Sequence, residues 1–200
     1  MPRTQKQNEE IKEAMILKIQ ETGLKLFSQK GLTATSITDI ANDAEISIGL
    51  MYHYYKSKED LYSELIKTAI EESTEALKQL ALMKASPIEK IQLFTKQILD
   101  DTENGDRTSR FYLLVTQALL GVNLPEKAKK HLDNSYEGLE IMASIVKEGQ
   151  KTNEIKEGNT KTLTTLFLAS INGICTYKLI LGKEFITPEP EMITALLTKK

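Results

Sequence analysis

Two hundred residues, 40% of them hydrophobic and 27% charged, are enough for a sizeable core and ordinary for a folded protein. The net charge of -2 excludes a globally basic chain, so any nucleic-acid contact must be local. One cysteine, Cys175, excludes an internal disulfide framework and fits a reducing compartment; the polar opening MPRTQKQNEE lacks the apolar run of a signal peptide, so a cytoplasmic protein is expected.

Glycine and proline are sparse and fall mostly between periodic segments, so the chain reads as all-α. The first helix covers about 9–29, with Ile11, Met15, Ile19, Leu26 and Phe27 inward and Gly31 after its end. The second covers about 36–43, where Ile37, Ile40, Ala41 and Ala44 follow i, i+3, i+4, i+7. Thr35 or Ser36 can cap it, and Asp39 suits its first turn. A third helix covers about 48–54 and a fourth about 58–82. After Pro87 a helix runs to about Leu99, followed by a polar loop, DDTENGDRTS. Further helices are expected near 109–120, 125–152, 160–181 and 189–198. The chain divides into 1–57 and 58–200, with the fourth helix shared between the parts in place of a flexible linker.

The second and third helices, with a turn at Glu45 and Ile46, make a helix-turn-helix candidate at about 34–54. Ser47 is placed to cap the third helix, and Ile46 and Met51 are spaced as a hydrophobic staple. At 100° per residue Met51 and Tyr54 point one way, so Met51 with Tyr54 or Tyr55 can anchor the helix. Ile48, Leu50, Tyr52 and His53 are then left near the surface with no core to fill. Such a surface suits a DNA groove: Tyr and His can donate to phosphate oxygens, and apolar side chains can meet thymine methyls. Gly49 permits close backbone approach, Lys58 adds a cation, and Arg3 and Lys6 form a short basic arm. An ordinary helical pair with an aromatic surface is the alternative that spacing leaves open.

The segment GLTATSITDIANDAEISIGLMYHYYKSKEDLYSELI, residues 31–66, resembles the N-terminal domain of TetR-family transcriptional regulators, whose domain would extend over about 9–69. The resemblance rests on Gly31, on the run Thr35-Ser36-Ile37 with Ile40 and Ala41, and on Ser47, Gly49, Tyr52, Tyr54, Tyr55, Ser57, Lys58, Glu59 and Leu61 in register. It implies a three-helix DNA-binding domain joined to a larger helical domain that dimerises and binds a small molecule. It further implies a repressor of double-stranded operator DNA, with no enzymatic activity and no cofactor. By the same resemblance Thr35, Ser36 and Thr38 lie on the DNA side of the second helix, Ser47, Ile48, Gly49 and Leu50 enter the major groove, and Tyr52, His53 and Lys58 hold phosphates. Tyr54 stays open between phosphate contact and packing.

Three features depart from the family pattern. Glu45 stands where the turn often has Gly, which at positive φ would cost roughly 1 kcal/mol and would set an acid near DNA. Ile48 and Leu50 replace the more usual Lys and Thr or Ala, shifting recognition towards methyl contact. Residues 1–56 carry seven basic and seven acidic side chains, so non-specific binding is expected to be modest.

DDTENGD has a calcium-loop flavour, yet position 3 from Asp100 is Thr102 and position 12 is Phe111, where a bidentate Glu is required. A solvated loop and no metal site are expected. Residues 163–182 are long enough to span a membrane, but their Thr, Ser and Asn residues and Lys178 favour a buried or subunit-facing helix. Ala169 and Gly173, with Met192 and Leu196 on the last helix, offer a dimer face; packing inside one subunit is the alternative. Phe94, Phe111, Tyr112, Tyr136, Met142, Phe167 and Tyr177 supply the expected lining of a pocket for a small hydrophobic effector, neutral or weakly cationic. Other readings are a helical protein-binding module without DNA function and a constitutive regulator without a ligand.

Overall fold

Side-chain caps set where the helices begin. Ser36, Ser47, Ser57, Ser86 and Asn159 each precede a helix in extended geometry and accept a hydrogen bond from the N–H three residues on. Ser36 and Ser86 complete capping boxes with Asp39 and Glu89. The computed structural model describes residues 5–121 and 123–199. Within it the helices are α1 (Gln5–Lys30), α2 (Ile37–Asp43), α3 (Ile48–Tyr54), α4 (Lys58–Leu82), α5 (Pro87–Asn104), α6 (Arg107–Leu120), α7 (Glu126–Asp133), α8 (Ser135–Lys151), α9 (Thr160–Leu181) and α10 (Pro190–Thr194). The fold is all-α; an N-terminal helix-turn-helix domain leads through α4 into a larger helical domain.

Several boundaries differ from expectation. The stretch expected as a polar loop continues α5 to Asn104 and restarts as α6 at Arg107, leaving only Gly105 and Asp106 between helices. A salt bridge from Lys96 to Asp100 at 2.6 Å and a bond from Gln97 to Asp101 at 2.9 Å carry the helix through these acids. The expected helix 125–152 breaks at Asn134, which ends α7 and precedes α8. The last helix is five residues long; beyond it Lys156 N–H donates to Leu197 O at 2.8 Å, and Ile155 pairs with Thr198 in an isolated bridge. Ile11, expected to face inward, is exposed because the first turns of α1 project beyond the other helices' packing.

Two apolar cores share α4. Its first half, through Leu61, Leu65, Ile66 and Ile70, packs with Ile19 and Phe27 of α1, Ile40 of α2 and Met51 of α3. Phe111 and Leu114 of α6 and Leu132 of α7 join the same cluster, so packing crosses the chain division at 57/58. The second half of α4, through Leu77 and Leu80, packs with Ile91, Met142, Phe167, Ile171 and Leu197 in the other core.

Gly149 closes that second core. A Cβ there would lie 2.5 Å from Ile155 Cδ1, 2.7 Å from its Cγ1 and 3.1 Å from Pro87 Cβ. Ile155 is fully buried and has little room to yield. Gly149→Ala is therefore expected to destabilise the chain by about 1–3 kcal/mol through overpacking, read from chemical denaturation.

Candidate nucleic-acid interface

α2 and α3 are each seven residues long, too short to hold a conformation alone. The turn between them places Glu45 at φ 52, the left-handed conformation that its position anticipates. Ile46 N–H closes the turn by donating to Ala41 O at 2.9 Å. Ser47 Oγ accepts from Leu50 N–H at 3.1 Å and fixes the start of α3. Met51 is fully buried, Tyr55 is nearly so, and Ile46 packs against their core, as the staple spacing predicts. Burial pushes the Tyr55 hydroxyl up to about 12, and Gln20 Nε2 donates to its oxygen at 3.1 Å.

With α3 anchored along that edge, its opposite side faces outward. Ile48 is 44% exposed and Tyr52 is 53% exposed. Ser47, Gly49 and His53 are exposed and Leu50 is half-buried. Open space surrounds Gly49: a Cβ there would meet only Ser47 Oγ, at 4.0 Å. His53 stacks edge-on to Tyr54 at 5.1 Å, and Tyr54 packs partly on the core, which gives it a packing role. The outward placement of Ile48, Tyr52 and His53 inferred from helical spacing is what the structure shows, with Leu50 half-buried on the flank.

On α2, Ser36 and Thr38 are exposed. The Ser36 hydroxyl donates to Asp39 Oδ2 at 2.7 Å and accepts from Asp39 N–H at 3.0 Å. That pairing, more than any charge, holds the Asp39 carboxyl below its usual range. Thr35 departs from expectation. It is 1% exposed, and its hydroxyl donates to Gly31 O at 2.8 Å, tying the end of α1 to the start of α2. A side chain so enclosed cannot reach DNA.

Lys58 also departs from expectation. Its ammonium donates to the carbonyls of Leu32 at 2.8 Å, Thr33 at 3.3 Å and Thr35 at 2.7 Å. All three donors are engaged inside the protein, so Lys58 clamps α4 to the α1–α2 connection, and a phosphate could bond its ammonium only by displacing one of these carbonyls. Other cations are paired too: Lys25 lies 3.0 Å from Asp43, and Lys18 lies 3.9 Å from Glu45. Lys6 is drawn to Glu10 at 3.9 Å, and Arg3 lies outside the described residues. Lys12, Lys30 and Lys56 stay exposed without an ion pair among the described residues, and Lys56 directly precedes the Ser57 cap.

The expected effector lining does not form one cavity. Phe94, Met142 and Phe167 pack in the second core, with the two phenyl rings 6.2 Å apart. Tyr112 packs partly on that core, and burial pushes its hydroxyl well above the usual range. Phe111 belongs to the first core, beneath the Arg107 guanidinium at 4.6 Å. Tyr136 and Tyr177 are 64% and 59% exposed, because helical phase turns them away from the cores. A groove of about 390 Å³ lies instead between α4 and the α7–α8 junction, lined by Lys67, Glu71, Glu75, Lys78, His131 and Glu137 among others, and it is polar. A second cavity, of about 220 Å³, lies where α1, α6 and α9 meet. Sequence spacing carried no sign of either, since each joins helices far apart in the chain.

α9 presents an apolar stripe. Leu166, Ala169, Tyr177 and Ile180 are exposed, and a Cβ on Gly173 would meet nothing within 4 Å. Met192 and Leu196 near the chain's end are exposed as well. The alternative of close packing around Ala169 and Gly173 within one subunit is therefore wrong. By length and composition Thr160–Glu184 could cross a membrane, though the same outward stripe explains its apolarity. Cys175, by contrast, is buried, and burial pushes its thiol up to about 11, leaving it poorly reactive.

Loss of the Lys58 clamp is expected to act on folding first. Lys58→Ala should lower stability by about 1–3 kcal/mol while leaving the salt slope of DNA binding unchanged. Thermal unfolding beside binding titrations in several salt concentrations checks both; a shallower slope with unaltered stability would restore the phosphate role.

Residues 19–65 match the family profile described as "Bacterial regulatory proteins, tetR family". The HTH-type transcriptional repressor KstR2 of Mycobacterium tuberculosis is 32% identical over 72 residues, which cover 36% of this chain and 36% of that protein. The chain thus matches about a third of that curated relative's length. The fatty acid metabolism regulator protein of Bacillus subtilis is 27% identical over 142 residues, 71% of each chain. Among solved structures, the MbdR regulator from Azoarcus sp. CIB superposes with a TM-score of 0.74 at 18% identity, covering 91% of this chain and 94% of the other, which shows a shared fold. Residues 19–65 thus carry the sequence of the N-terminal, DNA-binding domain of the TetR family, and the chain as a whole shares its helical fold with a solved bacterial regulator.

Proposed function

We propose that the chain is a sequence-specific, DNA-binding transcriptional regulator that represses as a homodimer and is released from its operator by a small molecule. The observation that carries the DNA reading is the division of α3: Met51 and Tyr55 are sunk in the core while Ile48, Gly49 and Tyr52 face solvent. A helical binding module of another kind would not need a seven-residue helix held by one edge with its apolar side chains outward. In this reading Ser47, Ile48, Gly49 and Leu50 enter the major groove, and Ser36, Thr38, Tyr52 and His53 contact the backbone. Lys56 takes the phosphate role, since the Lys58 ammonium is already engaged. Repression is supported by the name of the mycobacterial relative. A chromosomal target would place the protein in the cytoplasm.

Dimerisation is supported by the outward stripe of α9 with Met192 and Leu196, which finds no cover in one copy. A two-fold dimer would set two α3 helices on related half-sites. Ligand control is supported by the size of the C-terminal domain and by α4, which runs from the DNA-binding core into the second core.

Selection of bound duplexes from a random pool tests the reading, and a two-fold related consensus is expected. Leu50→Ala should relax preference at one position of each half-site, a thymine, by about 1–3 kcal/mol. Unchanged preferences with a lowered melting temperature would return Leu50 to the core. Gly173→Leu tests the dimer. The open space at Gly173 means that the single subunit tolerates the change, and leaving Gly in a helix interior gains roughly 0.5–1 kcal/mol. Sedimentation should show a dimer for the parent chain and monomers for the variant; a monomeric parent at micromolar concentration would end the proposal.

A further inference from the structure

The cavity at the junction of α1, α6 and α9 brings four polar side chains, Gln29 and Arg110 among them, against three apolar ones, Leu113, Leu179 and Ile180. Arg110 is the centre of the polar end, with a side chain only 17% exposed. Its Nη1 donates to Ser28 Oγ at 3.2 Å, and its Nη2 donates to Asp106 Oδ2 at 3.1 Å. A guanidinium carries five N–H donors, so three remain without a protein partner among the described residues. Asp106 pairs with it from the more exposed side, being 47% exposed itself. The Ser28 hydroxyl is committed as well, donating to Lys25 O at 3.0 Å.

We infer that this cavity is a binding site for a short amphipathic carboxylate, whose head meets the Arg110 fork and whose tail lies on Leu113, Leu179 and Ile180. A partly buried guanidinium with spare donors favours a planar anion held by two bonds. The volume of about 220 Å³ falls below the ~300–1,000 Å³ usual for drug-sized ligands. A site of that size, partly open beside the exposed Ile180, suits a short chain, for which hexanoate is a convenient probe. The expected effector is neutral or weakly cationic because charge is scarce in the inner stripes; here Arg110, although paired with Asp106, keeps donors that suit a carboxylate instead.

The position gives such a ligand leverage. Arg110 and Gln117 of α6 both reach Ser28 in the last turns of α1, Gln117 Nε2 donating to Ser28 O at 3.2 Å. The same α1 end leads through Thr35 to the cap of α2. Arg107, one turn before Arg110, grips Glu72 of α4 through both carboxylate oxygens at 3.0 Å. A carboxylate that draws Arg110 from Ser28 thus loosens α6 from α1 while α6 stays tied to α4. Ile180 also belongs to the outward stripe of α9, so the apolar end lies at the edge of the proposed dimer face. The site stands without the regulator reading; its effect on DNA rests on that reading.

Calorimetric titration of the full-length protein with hexanoate, acetate and hexan-1-ol is the test. Hexanoate is expected to bind at least about tenfold more tightly than either of the others, since each lacks one half of the match. Leu179→Trp fills the apolar end and should weaken hexanoate about tenfold or more with the melting temperature kept. Arg110→Gln should bring hexanoate and hexan-1-ol to equal affinity. Equal affinities in the parent chain, or undiminished binding by Leu179→Trp, overturn the site; both comparisons decide the matter even if Arg110→Gln fails to fold. Operator DNA should weaken hexanoate by the factor by which hexanoate weakens DNA. Hexanoate binding in a chain that binds no DNA would sink the regulator reading alone, whereas DNA binding with no hexanoate binding would sink this site alone.

Discussion

Everything at the helix-turn-helix end depends on how α3 is held by one edge. A helix of seven residues has no stability of its own in water, where even good helix formers need ~12–15 residues. Met51 and Tyr55 supply the missing stability by entering the core of α1, α2 and α4, and Ser47 fixes the first turn. The anchored edge is narrow, so the remaining side chains are displayed without being flexible. Displaying Ile48 and Tyr52 to water is costly in apolar area, and a surface of that kind is kept only where something covers it.

The second constraint is the sharing of α4. A helix of 25 residues that packs by its first half in one core and by its second half in another cannot tilt at one end alone. Lys58 makes the front end stiffer, because its ammonium holds the carbonyls that lead into the α2 cap. α6 forms a second connection through Arg110 and Gln117 to α1 and through Arg107 to α4. The helix-turn-helix is therefore held at two points, and its orientation follows any motion of α6 relative to α4. Exposed ion pairs such as Arg107–Glu72 add little stability in themselves. Their role here is geometric, since a bidentate pair defines a direction as well as a distance.

What was legible in the sequence follows the range of the interactions. α2, α3 and α4 were read nearly to the residue because serine caps and local periodicity, which act within four residues, determine them. The outward set on α3 was legible for the same reason. Thr35 and Lys58 were misread because their partners, Gly31 O and the Leu32 and Thr35 carbonyls, exist only after α1 and α4 have packed. Composition alone groups the aromatic residues of the C-terminal part as lining, yet helical phase divides them: Phe167 is sealed in a core and Tyr177, ten residues on along the same helix, is turned outward. Arg110 gave no signal at all, since Ser28 is 82 residues away in sequence.

On the function proposed above, a chain of net charge -2 would have to recognise a polyanion. Lys25 and Lys18 lie near acids and Lys58 donates to three carbonyls, so of the basic side chains in the described N-terminal part Lys12, Lys30 and Lys56 are the ones left exposed without an ion pair, and counterion release would be modest. In that reading affinity would draw more on short-range contact: hydroxyl and amide donors at the helix starts, and methyl packing from Ile48 and Leu50. Contacts of that range fail when a half-site is displaced by an ångström, whereas a basic patch tolerates such displacement. On the function proposed above, a small reorientation of α3 would suffice for release, and the links from α6 to Ser28 and from Lys58 to the α2 cap are the contacts through which the rest of the chain meets that unit.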